Sequence, residues 1–496
     1  MNLAMAFASS AESNADKTAV YWGDEAFSYR VLLSQTHALA WHLQNSLNVG
    51  PGDRVALWLK NCPEFVPSLF AILESGAVVV PINNFLKADE AAYILKDAGA
   101  RTVICDAHSA ETMEPLRRRI DGLNVWDIEA LSSLPNPPES EEARIMGHGR
   151  AEQDLAVIIY TSGTTGRPKG AMLSHGNLLH NVESCRQVLS AVDADRFVVL
   201  LPMFHSFMLC VCVFLPLLVG GSMVIIRSLH PPKNILHEII QHQATILPSI
   251  PQFFRTLANA TLPGDLPLRA CVSGGAPLPV EILREFKAKM TIPLIEGYGL
   301  SEASPVVSMN PMNGLAKEGS IGMPIPEVEI TIQSETGDML PVGDVGELCV
   351  RGGNVMLGYW NQPTETAKVL HNHWLRTGDI GYQDEDGYFF ITDRKKDMLL
   401  VNGVNVYPRE IEEVIYQYPG VKEAAVVGIK DLRKGEQPVA FLVANEGERI
   451  DEPTLLKFIR QRLADYKVPR RVRLLDALPK NATGKVLKTV LRDQAG

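Results

Sequence analysis

The sequence predicts an α/β protein: a large N-terminal domain of two doubly wound α/β subdomains plus a small β subdomain, followed by a mobile α+β C-terminal domain. First, a chain of 496 residues is too long for a single hydrophobic core. Second, two long stretches alternate short apolar runs with helical patterns, which is typical of βαβ units and parallel sheets. Third, the later part changes to short β-like runs and then to a mixed pattern. We assign residues 1–395 to the first domain and 396–496 to the second, with a hinge near 393–397.

The two α/β series are read from the length and period of their apolar runs. The first series consists of a strand at 54–59, a helix at 63–74, a strand at 77–82, a helix at 88–98 and a strand at 101–105. The second begins with a strand at 155–159 and includes strands at 222–226 and 269–273. Between the series, residues 131–144 are rich in Pro, Ser and Glu and are predicted to form a solvated loop.

The remaining elements follow a change in the sequence pattern near residue 319. The β subdomain is predicted to contain strands at 328–332 and 346–351. A run of five residues at 393–397, all charged, separates strands at 388–391 and 398–401, and it is either a solvated turn or an interdomain hinge. The C-terminal domain is predicted to contain a helix at 408–417, strands at 424–429 and 439–443, and a helix at 452–463.

The composition favours an ordinary globular protein of the cytoplasm. Hydrophobic residues make up 46% of the chain, charged residues 21%, and the formal net charge is −10. An acidic chain lacks the basic footprint expected of a general nucleic-acid-binding protein. The seven cysteines are scattered and form no C-x-x-C pair, which fits reduced, buried thiols. The first residues have no basic segment followed by an apolar one, so no secretory signal is expected.

One long apolar segment raises the question of a membrane span. Residues 197–226 carry no formal charge if His205 is neutral. Pro202, Pro216 and the pair Gly220-Gly221 divide the segment, so a strand, a helix and a second strand in a buried core are predicted. Peripheral membrane contact and a homodimer both stay open at this stage.

The loop after the strand at 155–159 has the composition of a polyphosphate site. It contains Thr161, Ser162, Gly163, Thr164, Thr165, Gly166 and Lys169. Glycines allow the backbone close to an anion, hydroxyls and N–H groups donate to phosphate oxygens, and the lysine supplies a cation. The spacing does not match the common P-loop pattern, because Pro168 precedes Lys169 and Gly170 follows it. A different type of ATP-binding loop is therefore predicted.

Six further motifs follow this loop in order: PMFHS at 202–206, SGGAP at 273–277, YGLSE at 298–302, TGD at 377–379, DR at 393–394 and PKNATGK at 479–485. The complete series resembles the adenylate-forming superfamily, which contains acyl-CoA synthetases, peptide-synthetase adenylation domains and beetle luciferases. The resemblance extends over nearly the whole chain. It implies an AMP-forming acyl-CoA synthetase that joins a carboxylic acid to ATP, releases pyrophosphate, and transfers the acyl group from the acyl-AMP to CoA.

The resemblance also implies roles for individual residues. The phosphate loop would hold the β and γ phosphates, and Tyr298 would offer its ring to adenine. Asp379 would accept from the ribose hydroxyls, with Arg394 as a second ribose or phosphate contact. The backbone around the adenine would come from Gly274, Gly275, Ala276, Pro277, Glu296, Gly297 and Gly299.

The expected catalytic residues are Lys485, Glu302, Ser301 and His205. Glu302 and Thr161 are the predicted Mg²⁺ ligands, since this cation prefers oxygen donors. Ser301 would donate its hydroxyl to the α-phosphate. Lys485, near the end of the chain, would bridge the carboxylate and the α-phosphate. For His205, a core or gating role and a direct contact with the substrate carboxylate stay open.

The second half-reaction is implied to need a rotation of the C-terminal domain about Lys396. This movement would withdraw Lys485 and bring Gly403, within residues 401–404, against the pantetheine of CoA. Such a swing needs only a few residues to absorb the change in backbone angles.

The residues around His205 are mostly apolar and include Phe204, Phe207 and Met208. They offer no cation for a second carboxylate, so a dicarboxylic acid is disfavoured and a medium- or long-chain fatty acid is predicted, with an aromatic acid next. A ligase that loads a carrier-protein phosphopantetheine is the nearest alternative. A P-loop kinase and a catalytically silent nucleotide-binding protein fit the motif series less well.

Overall fold

The computed structural model describes residues 1–107, 110–135, 137, 149–161, 167–262, 264–431, 435–481 and 484–495. Residues 162–166 of the phosphate loop and residues 138–144 of the predicted solvated loop lie outside the described residues.

The described strands are β1 (Thr18–Trp22), β2 (Glu25–Ser28), β3 (Arg54–Trp58), β4 (Val78–Pro81), β5 (Thr102–Cys105), β6 (Asn124–Asp127), β7 (Leu155–Thr161), β8 (Lys169–Ser174), β9 (Arg196–Val199), β10 (Ser222–Ile225), β11 (Ile246–Ser249), β12 (Ala270–Ser273), β13 (Leu294–Gly299), β14 (Val306–Met309), β15 (Met323–Pro324), β16 (Val328–Gln333), β17 (Gly346–Gly352), β18 (Gly358–Tyr359), β19 (Leu370–His371), β20 (Trp374–Gln383), β21 (Phe389–Arg394), β22 (Leu399–Val401), β23 (Val404–Val406), β24 (Val421–Asp431), β25 (Gly435–Ala444) and β26 (Arg471–Leu474).

The described α-helices are α1 (Leu3–Ser13), α2 (Tyr29–Asn45), α3 (Phe65–Glu74), α4 (Ala88–Ala98), α5 (Ala110–Arg117), α6 (His175–Leu189), α7 (Ser206–Met208), α8 (Leu215–Leu218), α9 (Lys233–Gln241), α10 (Pro251–Ala258), α11 (Val280–Lys289), α12 (Pro363–Val369), α13 (Pro408–Tyr416), α14 (Glu452–Arg460) and α15 (Lys488–Ala495). Short 3₁₀ helices span Ile128–Ser133, Ser301–Ala303 and Asp465–Lys467, and a π-helical segment spans Leu209–Phe214.

Two mixed sheets organise the first three quarters of the chain. The larger has nine strands in the order β15-β14-β13-β12-β11-β9-β10-β1-β2, and it is parallel from β13 to β1. The other has seven strands in the order β18-β8-β7-β4-β3-β5-β6, parallel from β7 to β6. Helices connect most of the parallel neighbours, so the predicted pair of doubly wound α/β subdomains is confirmed.

One large core is shared by both sheets. It contains Val79 of β4, Val157 of β7 and Phe197 of β9, none of which is exposed. The stacked rings of Phe7 in α1 and Phe70 in α3, with centroids 3.9 Å apart, belong to the same core. Complete burial of such a side chain stabilises the fold by about 1.5–3 kcal/mol. This shared core fixes the two sheets relative to each other and so fixes the cleft that opens at their strand ends.

The apolar segment 197–226 folds as the sequence predicts. It forms most of β9, then α7, the π-helical segment and α8, and then β10, with nearly every side chain buried. No helix in the described part of the chain is long and apolar enough to cross a membrane. A π-helical turn widens the backbone spiral and often occurs near functional sites, and here it begins at Leu209, immediately after the short helix α7 that His205 precedes.

Two smaller five-stranded sheets follow. The first contains β16, β17, β20, β19 and β21, and the second contains β22 to β26. The interpretation of residues 393–397 as a solvated turn is wrong for its two ends, because Asp393 and Asp397 are buried. Asp393 accepts from the N–H of Arg409 at 2.8 Å, and Asp397 lies 2.5 Å from Arg492. The boundary between the domains at 395/396 stays a prediction.

Gly299, at the end of β13, lies where two segments of backbone pack closely together. A Cβ at this position would overlap the carbonyl oxygen of Pro305 and lie 3.1 Å from the Cα of Val306. Because both obstacles are backbone, Gly299→Ala is expected to lower stability by about 1–3 kcal/mol, the usual cost of overpacking. Thermal unfolding checks this, with Gly264→Ala as the control, since an added Cβ there meets nothing within 4 Å. Equal unfolding temperatures for the two variants would contradict it.

Candidate active site

A cavity of about 1270 Å³ opens at the carboxyl ends of the parallel strands, where doubly wound sheets bind ligands. It collects most of the residues predicted from the motifs: Thr161, Lys169, His205, Gly274, Gly275, Gly297, Tyr298, Gly299, Ser301, Glu302, Arg394, Lys396 and Lys485. The described residues that line the cavity do not include Ala276, Pro277, Glu296, Asp379 or Gly403. Ser162, Gly163, Thr164, Thr165 and Gly166 lie outside the described residues.

Asp379 is buried behind one wall of the cavity and bonds to two side chains of that wall. The hydroxyl of Tyr298 donates to its Oδ2 at 2.5 Å, and Nε of Arg394 lies 3.0 Å from its Oδ1. Asp379 raises the pKa of Arg394 further, so this cation persists at any physiological pH. Both carboxylate oxygens are therefore engaged, and the contact of Asp379 with a ribose stays a prediction.

Glu302 lies in the middle of a three-residue 3₁₀ helix, whose first residue is Ser301. The Tyr359 hydroxyl donates to its Oε1 at 2.8 Å. Ser301 and Ser206 share a hydrogen bond of 3.0 Å between their hydroxyls, which links this helix to the start of α7. Thr161, the second predicted metal ligand, also faces the cavity, and its hydroxyl donates to the carbonyl of Lys169 at 3.5 Å.

Lys169 is buried at the start of β8 and is not a free cation in the structure. Its ammonium group pairs with the carboxylate of Glu365 in α12. The same ammonium lies 5.1 Å from the centroid of the Tyr359 ring, within the range of a cation–π interaction. Lys169 and its neighbour Lys368 hold the pKa of Glu365 near 2.

His205 is the N-cap residue that precedes α7, and its Nδ1 accepts from the N–H of Phe207 at 3.3 Å. Burial lowers the pKa of His205 to about 4, and Lys485 acts in the same direction. The imidazole is therefore neutral near pH 7 and can bond to a carboxylate oxygen but cannot neutralise it. Next to it, the ring of Phe207 packs on Gly274, where an added Cβ would lie 3.1 Å from Cζ.

Lys485 enters the cavity from the C-terminal part of the chain. Its N–H donates to Oδ1 of Asn481 at 2.9 Å, which closes a short hairpin. Gly484 has a φ of +78° and packs on Ile250 so closely that a side chain would overlap Ile250. Burial lowers the pKa of Lys485 to about 8, and the cation of Arg394 acts in the same direction.

Contacts between the C-terminal part and the cavity walls hold this arrangement. The guanidinium of Arg255 in α10 donates to the carbonyl of Lys422 at 2.7 Å. Oε2 of Glu413 in α13 accepts from the N–H of Val280, the first residue of α11, at 3.3 Å. A carboxylate from one part of the molecule therefore caps a helix of the other.

The other predicted residues surround this centre. Lys396 lines the cavity, and burial lowers its pKa. Glu296 is buried behind the wall, where its Oε1 accepts from the N–H of Leu278 at 3.0 Å and where burial raises its pKa to about 7. Gly403 lies at the exposed turn between β22 and β23 with a φ of +80°. Its predicted contact with pantetheine stays a prediction.

The sequence analysis missed three residues that bond to predicted site residues: Tyr359, Glu365 and Ser206. Tyr359 and Glu365 lie outside the motif cores, and Ser206 was read only as part of the histidine motif. Their partners are 57, 196 and 95 residues away along the chain. Nothing in a local pattern identifies such pairs.

Comparison with known proteins agrees with this geometry. Residues 7–360 match the family described as AMP-binding enzyme, and residues 410–485 match the AMP-binding enzyme C-terminal domain. The chain is 36% identical over 521 residues to a long-chain-fatty-acid–CoA ligase of Bacillus subtilis (strain 168), covering 97% of this chain and 92% of the relative. It is 37% identical over 491 residues to a feruloyl-CoA synthase of Amycolatopsis sp, covering 97% and 96%.

A solved structure supports the same assignment. ATP-bound MatB from Rhodopseudomonas palustris superposes with a TM-score of 0.91 at 32% identity, covering 100% of this chain and 99% of that one. The apo form of MatB gives a TM-score of 0.78. The chain therefore belongs to the family of AMP-binding enzymes. Within that family it is an AMP-forming acyl-CoA synthetase, which activates a carboxylic acid with ATP and transfers the acyl group to CoA.

The lowered pKa of Lys485 makes a prediction about pH. If its cation serves adenylation, as the resemblance implies, kcat/KM for acid-dependent pyrophosphate release falls as the pH rises through about 8, because the free enzyme loses this proton. Lys485→Arg remains charged throughout that range. A Lys485→Arg enzyme with measurable activity should lack this decline. A wild-type kcat/KM that does not decline up to pH 9.5 would contradict the prediction.

Proposed function

We propose that this synthetase activates a monocarboxylic acid with an apolar body, and that the described arrangement is the one in which the acyl-adenylate forms. The observation that carries the proposal is Lys485, enclosed in the cavity beside Arg394 and His205. The superposition supports it, because ATP-bound MatB matches this chain better than apo MatB does.

In the proposed adenylation step the acid carboxylate attacks the α-phosphorus of ATP, and the bond between that phosphorus and the pyrophosphate oxygen breaks. Negative charge develops on the α-phosphate and on pyrophosphate, so catalysis consists mainly of positioning and charge neutralisation. Lys485 supplies the cation between the carboxylate and the α-phosphate, and Lys169 and Arg394 lie along the same cavity. Ser301 donates a hydroxyl to the α-phosphate.

The residues present fit a Mg²⁺ ion carried by ATP. Glu302 and Thr161 both face the cavity and offer hard oxygen donors. Bound there, the cation would neutralise phosphate charge. The described residues contain no cluster of three His, Cys, Asp or Glu side chains. This is the pattern expected where phosphates and water complete the coordination of Mg²⁺.

The acyl end of the cavity has the chemistry of an apolar pocket. Its described walls include Phe204, Phe207, Val272, Val306 and Met309. They carry no Lys or Arg, and neutral His205 cannot compensate a second carboxylate. We therefore infer a medium- or long-chain fatty acid.

An aromatic acid is the second candidate. The ring of Phe207 rests directly on Gly274, which favours a flat acyl group, and one relative is named a feruloyl-CoA synthase. CoA is the proposed acceptor of the acyl group. A carrier protein that bears phosphopantetheine is the alternative acceptor. Peripheral membrane contact, a homodimer and a cytoplasmic location also stay predictions.

A panel of acids tests the substrate proposal. Pyrophosphate release should be measured with fatty acids of increasing length, cinnamate-type acids and a dicarboxylate such as malonate, each with and without CoA. The dicarboxylate should react at least about 100-fold more slowly, because its second charge would be buried unpaired. Phe207→Ala should raise the rates for longer acids relative to aromatic ones. Preferred turnover of the dicarboxylate would overturn the substrate class, and no acid-dependent release would overturn the function.

Removal of the lysine separates the two half-reactions. Lys485→Ala should reduce acid-dependent exchange of pyrophosphate into ATP by about 100-fold or more, since loss of one preorganised charge contact costs about this much. Transfer from supplied acyl-AMP to CoA should stay within a few-fold of wild type. Lys457→Ala, on the exposed side of α14, is the control. Equal loss of both half-reactions would contradict the assigned role.

A further inference from the structure

Tyr359 joins the two groups expected to meet the ATP phosphates and their cation. Its hydroxyl donates to Oε1 of Glu302 at 2.8 Å, and its ring centroid lies 5.1 Å from the ammonium of Lys169. The side chain is only 8% exposed. One buried ring thus contacts a carboxylate through its polar end and a cation through its face.

The backbone around Tyr359 is fixed to the same two regions. Tyr359 pairs with Ala171 between β18 and β8, and the N–H of Trp360 donates to the carbonyl of Gly170 at 2.7 Å. The N–H of Met356 donates to the carbonyl of Glu302 at 2.9 Å. The segment 356–360 therefore connects the strand after the phosphate loop with the 3₁₀ helix that carries Glu302.

Glu302 has little other support. Its 3₁₀ helix contains three residues and lacks a side-chain cap. Among the described residues, Tyr359 makes the one side-chain hydrogen bond to its carboxylate, and no partner lies within bonding distance of Oε2. Ordering a free glutamate side chain costs conformational entropy, and a preformed hydrogen bond removes much of this cost before ATP binds.

We propose that Tyr359 is a positioning residue for adenylation: its hydroxyl holds one oxygen of Glu302 so that the other faces the divalent cation of ATP, and its ring keeps Lys169 beside them. The proposal rests on the proposed function, because it takes Glu302 as the carboxylate for that cation. Glu365, which pairs with Lys169, keeps this cation compensated while no phosphate is present.

The test removes the hydroxyl and keeps the ring. Tyr359→Phe should raise the Mg²⁺ concentration for half-maximal pyrophosphate release by about 10-fold or more, the usual effect of removing a partner of a metal ligand. The KM for the acid should stay unchanged. Binding of Mn²⁺ to the complex with ATP, without acid and followed by electron paramagnetic resonance of the free ion, should weaken by the same factor. Unchanged Mn²⁺ binding in a folded Tyr359→Phe protein would overturn the proposal.

Two comparisons keep the test decisive. Tyr416→Phe is the control, because that buried hydroxyl bonds to the backbone of Ala424, away from the cavity. If the Tyr359→Phe protein is less stable than wild type, a double variant that carries both Tyr359→Phe and Glu302→Gln is made. Against Glu302→Gln alone, the double variant should show no further loss of Mn²⁺ binding, and a full additional loss would overturn the proposal. A wild-type enzyme without acid-dependent pyrophosphate release would instead refute the proposed function.

Discussion

The insertion of Lys485 into a cavity built by a distant part of the chain is the interaction on which the site depends. The lysine shares the cavity with Arg394 and Lys396, while Asp379 is the buried anion next to them. Burial is the main cause of the lowered pKa of Lys485 and of Lys396, and repulsion by the cation of Arg394 adds to it. Binding of the ATP phosphates, as proposed above, would relieve this repulsion.

Burial and pairing of charge recur around the cavity. Lys169 pairs with Glu365, and Arg394 pairs with Asp379; in each pair one partner is buried and the other is partly exposed. Desolvation of the buried partner offsets much of the attraction. Such pairs add little net stability. Their value is geometric, because each holds a side chain at one position on the wall. The neutral His205 and the apolar residues around Phe207 give another part of the cavity wall an uncharged character.

Much of the fold could be predicted because it follows local periodicity. The helix at 88–98 was predicted at its observed bounds, and the strand at 222–226 differs by one residue. The strands predicted at 424–429 and 439–443 were too short, since β24 and β25 extend as a long antiparallel pair that cross-strand bonding sustains. Site residues inside contiguous motifs could be identified from the resemblance. Tyr359 and Glu365 could not, because their partners are adjacent only in the folded protein.

The hydrogen bond from the N–H of Val280 to Glu413 has a consequence for the second half-reaction. If the C-terminal domain rotates as the resemblance implies, the movement that withdraws Lys485 would also remove Glu413 from α11. That helix then loses a carboxylate from its positive end, an interaction of about 0.3–1 kcal/mol at exposed sites. Loss of this interaction would favour return to the arrangement in which Glu413 contacts α11.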